Sequence, residues 1–408
     1  RPDSSKAMDA TSRGRTCHPL AFRRGRRPSC SRTDAASTAD ADSLAAEAPT
    51  ALPRARAPLP PAALSLASSS AASAAGNPSP GWSEVRQSVP DIRISSREPA
   101  QGDTLAVLVQ VPGSRGPLGA VARLLGDVLA QHGGRLGRDL TGLKVSFGPV
   151  PGTDAATLAG TRSYTAFPTS TVSDGKVWRV TIPTTPLDPP GEWIMRIETP
   201  LGMGSARSIR VRLRARDFPT QSIWLPEGKA HLQGSTAEWE AMARLNAVVS
   251  PKQLWVGPFR RPTEGPVTTV FGVQRYYNGH FAHNYYHRGV DYGAPEGTPV
   301  MAPNAGRVVL VGRERDGFEF HGNCVGVDHG QGVVSIFMHL HDIAVREGEE
   351  VRPGMYLGSV GETGIATGPH LHWGLSVHGL SVDPAPWMVA QRWLAHSPWP
   401  SDARPGLN

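Results

Sequence analysis

From residue 208 to 214 the chain alternates without a break. Ile209, Val211 and Leu213 are apolar, while Arg210, Arg212 and Arg214 are charged. A period of two belongs to a strand, and it sends the apolar set to a core and the arginines to solvent. The pattern recurs upstream. Residues 104–111 form an apolar run, Leu143, Val145 and Phe147 alternate with Lys144 and Ser146, and 177–182 and 193–197 are further strand candidates. Gly, Pro and Ser clusters cut every run short. Many short strands at this spacing predict a β-sandwich over 88–216. No cluster of catalytic residue types falls within it, so it reads as an accessory domain.

The rest of the chain divides by composition. Residues 1–85 are rich in Ala, Ser, Arg and Pro and poor in aromatics, so they are expected to form a disordered low-complexity tail. The acid-poor, Arg- and Ser-rich start has the composition of an organellar transit peptide, and a lost secretory signal is the other targeting reading. Residues 217–260 read as a linker with one short helix. Ser235-Thr236-Ala237-Glu238 fits a capping box, and the helix is expected to run to about Val248 with Trp239, Met242 and Leu245 on one face. From 261 to 390 strands and tight turns return, with candidates at 299–301, 306–311, 324–328, 333–338, 350–352 and 371–377. Asn278-Gly279 marks a hairpin, because both residues tolerate positive φ. Residues 391–408 read as a tail.

Net charge is +5 over 1–80, +6 over 81–216 and −4 over 217–408. The basic accessory region is compatible with an anionic polymer or surface. Three cysteines are too few for a disulfide framework: Cys17 and Cys30 fall in the tail, and Cys324 reads as a small buried hydrophobe. No apolar run approaches the roughly 20 residues of a membrane-spanning helix.

The chemistry gathers in two short motifs far apart in the last third, His287-Arg288-Gly289-Val290-Asp291 and His370-Leu371-His372. In a strand, residues two apart share a face, so His370 and His372 point into one groove. One can bind a metal while the other handles protons. His287 and Asp291 sit in a segment whose Gly289, Val290 and Gly293 favour extended chain. Two imidazoles and one carboxylate suit a single zinc ion per chain, with a position left for water. Zinc brings the pKa of water to about 7 and polarises carbonyls. A proton shuttle is still required, and His370 and His339 are the candidates.

At this point the sequence resembles the LytM-type zinc metallopeptidases of the M23 peptidase family, which cut peptidoglycan. The likeness runs through His287–Asp291, Ala294-Pro295-Glu296-Gly297-Thr298-Pro299-Val300, Gly306-Arg307-Val308, Asp328-His329-Gly330, Phe337-Met338-His339-Leu340 and Thr367-Gly368-Pro369-His370-Leu371-His372. It implies a mainly β chain: a tail, a sandwich-like accessory domain, then a small antiparallel catalytic domain with a groove over the metal. It implies that His287, Asp291 and His372 hold zinc, and that His339 and His370 are the unliganded catalytic pair. The implied activity is hydrolysis of cross-links or stem peptides of peptidoglycan. The implied partners are peptidoglycan peptides, with no nucleic acid, no transmembrane segment and an unidentified partner for the accessory domain. The implied place is the cell envelope, periplasmic or secreted, or a plastid if the tail is a transit peptide. The alternative is a non-catalytic wall-binding or hydrolase-activating module. Two positions depart from the family: Phe337-Met338 stands where Tyr-Ala is common, and Trp373-Gly374 where Phe-Glu is common.

Other polar residues carry plainer readings. His283 is four from His287, but the Asn-Gly turn and Tyr285-Tyr286 argue against the helix such a metal pair would need. His280 reads as a surface residue and His329 as a packing or turn residue. His321 and Asn323 line the groove or form a turn. His341 is the rival to His339, and Arg288 and Tyr286 are candidate substrate contacts.

Overall fold

The computed structural model describes residues 91–112, 143–172, 175–198, 206–225 and 234–389. The tail expected at 1–85, its targeting role, Cys17, Cys30 and the tail at 391–408 lie outside the described residues. The described chain is mainly β, as the sequence predicts, and its strands build two cores.

The first core lies between two four-stranded antiparallel sheets. Its elements are β1 (Asp91–Ile94), β2 (Thr104–Pro112), β3 (Lys144–Pro149), α1 (Asp154–Leu158), β4 (Arg162–Thr165), β5 (Phe167–Val172), β6 (Gly175–Pro183), β7 (Gly191–Glu198) and β8 (Arg207–Leu213). One sheet runs β1-β2-β6-β5 and the other β4-β3-β7-β8. Leu105, Val107, Val109, Val180 and Ile182 of the first face Val145, Phe147, Trp193, Met195 and Val211 of the second. The strand seen at 208–214 keeps its alternation: Val211 and Leu213 are buried, while Arg210, Arg212 and Arg214 are exposed. Each large apolar side chain buried here contributes about 1.5–3 kcal/mol.

The connector is more structured than its sequence suggests. Besides helix α2 (Thr236–Asn246) it supplies a strand, β9 (Thr220–Ile223). Ser235 caps α2, its Oγ accepting the Glu238 N–H at 3.1 Å. The second half of the capping box does not form as expected, because the Glu238 carboxylate turns away from its own helix. The buried stripe is Glu238, Ala241 and Leu245, not one led by Trp239. Ala241 and Leu245 pack on Leu310, Phe318, Cys324 and Val334.

The second core is built on a ten-stranded sheet, with one hairpin in a separate small sheet beside it. Its elements are β10 (Val267–Thr269), β11 (Gln274–Tyr277), β12 (His280–Phe281), β13 (Gly289–Gly293), β14 (Pro299–Met301), β15 (Gly306–Gly312), β16 (Asn323–Gly330), β17 (Val333–Ile343), β18 (Glu350–Val351), β19 (Tyr356–Val360), β20 (His370–Val377), β21 (Leu380–Val382) and α3 (Ala385–Met388). The main path runs β10-β13-β20-β17-β16-β15-β18, with β14, β19 and β21 joined to its flanks. Strands β11 and β12 form the expected hairpin, with Asn278 at φ 47° and Gly279 at φ 87°. Strand β9 pairs parallel with β11, so the connector extends this small sheet. The two cores touch: Arg216 pairs with buried Asp383 at 2.8 Å, and the Trp387 indole N–H donates to Thr104 Oγ1 at 3.3 Å. Among the described residues no helix is long and apolar enough to cross a membrane.

Candidate active site

Strands β13 and β20 pair antiparallel in a register that sets Asp291 directly opposite His372. Cross-strand neighbours lie within reach of one another on the same face. His287 enters just ahead of β13, tied by its own N–H to Val273 O at 2.8 Å. Three donor atoms then converge. His287 Nε2 is 3.0 Å from Asp291 Oδ1 and 3.0 Å from His372 Nδ1, and His372 Nδ1 is 2.8 Å from Asp291 Oδ1. All three side chains are buried. Gly289 explains part of the motif. A Cβ there would overlap Trp373 O and fall 2.8 Å from His372 Nε2, so only glycine lets the strands close over the cluster.

The protonation pattern suits a cation. His287 Nδ1 lies 2.8 Å from Val270 O. A carbonyl only accepts, so Nδ1 carries the proton and Nε2 offers a lone pair to the cluster. Burial pushes the His287 pKa down to about 4 against the pull of Asp291, which keeps the ring neutral at pH 7. Burial opposes ionisation of Asp291, yet His287 and the hydrogen bond from His372 outweigh it and hold the carboxyl well below its usual range. The cluster thus offers one imidazole lone pair from His287 and an ionised carboxylate from Asp291, with His372 Nδ1 in contact with both. Tetrahedral ligands at about 2.0–2.1 Å stand about 3.3 Å apart, so a few tenths of opening would seat a divalent ion. The donor set therefore fits a metal, and these three are the described residues whose ligand atoms cluster in that way.

His339 and His370 stand beside this cluster, their ring centroids 4.8 Å apart. His370 Nδ1 donates to Gly368 O and His339 Nδ1 to Thr363 O, each at 2.8 Å. Both rings are thereby fixed in one tautomer, with Nε2 as acceptor. His370 Nε2 is 3.9 Å from Asp291 Oδ1. His339 adopts φ 62°, a left-handed conformation rare outside glycine. Burial, with His370 and His372 nearby, holds its pKa well below the usual histidine value.

These five residues line one cavity of about 410 Å³. Its far wall is Gln221, Ile223 and Leu225 from the β9 segment, which sequence reasoning left as plain connector. Arg275 was also missed. It reaches Asp291 Oδ2 at 3.4 Å and Tyr277 OH at 3.1 Å, on the side of the carboxylate away from the histidines. A single arginine in an aromatic hairpin gives no sequence signal for that role. Gly374 leaves no carboxylate after the last histidine of the H-x-H motif; a Cβ there would come 2.9 Å from Ile336.

The remaining candidates separate cleanly. His321 and Arg288 line the cavity. Asn323 instead braces the turn, donating to Leu340 O and His341 O. His329 is buried between Ala305 O and Ser335 Oγ, away from the cluster. His341 does not share the face of His339, because the positive φ breaks the alternation; it is exposed and pairs with Glu296 at 3.1 Å. His283 is exposed against Phe281, and His280 is exposed. Tyr286 is buried with its hydroxyl 3.4 Å from Ser381 O.

Residues 285–384 match the model of peptidase family M23. Over 98 residues the chain is 42% identical to the DD-carboxypeptidase/endopeptidase Mpg of Neisseria meningitidis serogroup B, an alignment covering 24% of this chain and 22% of that protein. Over 99 residues it is 39% identical to the peptidoglycan DD-endopeptidase ShyC of Vibrio cholerae, covering 24% and 22%. The match thus spans about a fifth of the length of these relatives. Among solved structures, a putative peptidase M23 from Pseudomonas aeruginosa aligns at 24% identity over 72% of this chain and 96% of that one, with a TM-score of 0.43.

Proposed function

We propose that this chain, which carries a peptidase family M23 domain at 285–384, is a zinc-dependent endopeptidase acting on the peptide part of peptidoglycan in the cell envelope. The observation that carries the reading is the convergence of His287, Asp291 and His372 within 3.0 Å of one another, with two further histidines on the same cavity wall. Two nitrogens and one oxygen are a donor set that zinc favours. Zinc, when bound, supplies a Lewis acid that brings water to reactivity near neutral pH and polarises the scissile carbonyl.

The protein's own groups do the rest. Burial keeps His339 neutral, so its Nε2 stands ready to accept the proton of the attacking water. His370 lines the same cavity with its side chain 17% exposed, so its Nε2 can take a proton from solvent and pass it to the oxygen that becomes negative in the tetrahedral state, or to the departing nitrogen. The names of the relatives point to a bond between two D-amino acids as the one cleaved. A wall-binding module without catalysis has no use for both a complete donor set and two tautomer-fixed histidines.

Two substitutions separate metal binding from catalysis. His372→Ala abolishes stoichiometric zinc. His339→Ala keeps a full equivalent of zinc and loses about 100-fold or more in kcat. Mass spectrometry of muropeptides after incubation with zinc-loaded protein should show separated stem peptides. Full zinc occupancy with no cleavage of any cross-link or stem would overturn the proposal in favour of a binding module.

A further inference from the structure

Glu238 is fully buried, and nothing in the mechanism above uses it. It sits in the first turn of α2, about 50 residues before the matched M23 segment. Its carboxylate serves a different part of the chain. Oε1 accepts the backbone N–H of His321 at 2.7 Å and its Nδ1–H at 2.6 Å, and Oε2 accepts the N–H of Phe320 at 3.3 Å. Ser235 Oγ donates to Gly317 O at 2.9 Å, so the helix start and this loop are fastened at two points.

The carbonyls of the same two residues face the other way. His321 O accepts the His339 N–H at 3.2 Å, and Phe320 O accepts the Ile365 N–H at 3.0 Å. Those two bonds grip the segments that set the His339 imidazole: its own backbone, and the stretch whose Thr363 O receives its Nδ1–H. A left-handed histidine costs about 1–3 kcal/mol and persists only where its surroundings over-determine it. The 320–321 dipeptide supplies that constraint, and Glu238 anchors the dipeptide. Gly322 leaves no slack, since a Cβ there would meet Thr363.

We propose that Glu238 is a positioning residue for His339, making the linker helix a working part of the active site. The chain of contacts is Glu238 carboxylate, Phe320 and His321 amides, their carbonyls, then His339 and Ile365. It touches none of the three metal ligands. The inference rests on the assignment of His339 as a catalytic residue.

The test compares Glu238→Ala, Glu238→Gln, His339→Ala and the Glu238→Ala/His339→Ala double variant in the full chain. Readouts are zinc content, kcat and KM on muropeptides, and the imidazole Nδ1–H resonance of His339. Glutamine keeps the Oε1 contacts but turns an amide toward Phe320 N–H. We expect full zinc in every variant. Glu238→Ala lowers kcat about 30-fold with KM within twofold and loses the slowly exchanging Nδ1–H signal, while Glu238→Gln lowers kcat about three- to tenfold and keeps it. The double variant is no slower than His339→Ala alone, because one residue acts through the other. An alanine variant with wild-type kcat and an intact signal overturns the proposal, as does a kcat loss that tracks zinc loss. If alanine fails to fold, a glutamine variant with kcat within twofold of wild type does the same. An active His339→Ala instead overturns the catalytic assignment.

Discussion

Arg275 decides which oxygen of Asp291 meets the histidines. By holding Oδ2 it leaves Oδ1 for the cluster. Outer contacts of this kind tune metal affinity by about 10–100-fold. Arg275→Met is therefore expected to weaken zinc binding by about that factor in chelator competition, with the fold retained by circular dichroism; unchanged affinity would remove the role. Gly289→Ala is expected to drive a methyl into Trp373 and His372, lowering both zinc content and melting temperature. His329 sets a pH dependence of its own. Burial lowers its pKa to about 4 in the folded protein, against about 6.5 unfolded. Between those values the unfolded chain binds the proton and the native one does not, so stability is full above pH 6.5 and falls as pH drops toward 4. The loss is about 3 kcal/mol at pH 4, and His329→Gln should flatten that limb of the denaturation curve. At this scale the meeting of His287, Asp291, His370 and His372 at one cavity was legible from two spaced motifs, whereas the preference for His339 over His341 rested on the family resemblance. Arg275 and Glu238 were not. Their work depends on which chain segment folds against them, and a lone charged residue says nothing of that.

At the scale of elements, the strands with clean alternation or apolar runs were legible and the short ones were not. β8 and β17 show long unbroken patterns. β9 and β19 offer four or five residues each and owe their form to a partner strand. Of the two, β9 lines the cavity, with Gln221 and Ile223 facing it. Gln221→Ala with Ile223→Ala is expected to raise KM by about three- to tenfold while kcat stays within twofold, the pattern of lost uniform binding. An unchanged KM would show that substrate does not touch this wall. Helix α2 was legible as a capped helix, but its buried face was misassigned. Sequence reasoning gave Glu238 to its own N-terminus, whereas the loop at 320–321 offers three N–H donors to the same carboxylate.

For the whole molecule, the sandwich and the sheet that carries the His-Asp-His cluster share polar contacts across their junction. Arg216→Ala strands the buried Asp383 carboxylate and should lower the melting temperature, since leaving a buried charge without its partner is destabilising. Folding of the second core must bring Asp291 to His372 across 81 residues of chain, a long-range pairing of the kind that slows β proteins. Alignment there has a built-in ambiguity. A slip of one residue would turn the imidazoles to the opposite face, but a slip of two would slide His370 into the place of His372 and still offer the carboxylate a ring. The two glycines break that tie. Gly289 lies opposite Gly374 only when the ladder is zipped correctly, and every mismatched rung would set a bulkier neighbour against a strand with no room for one.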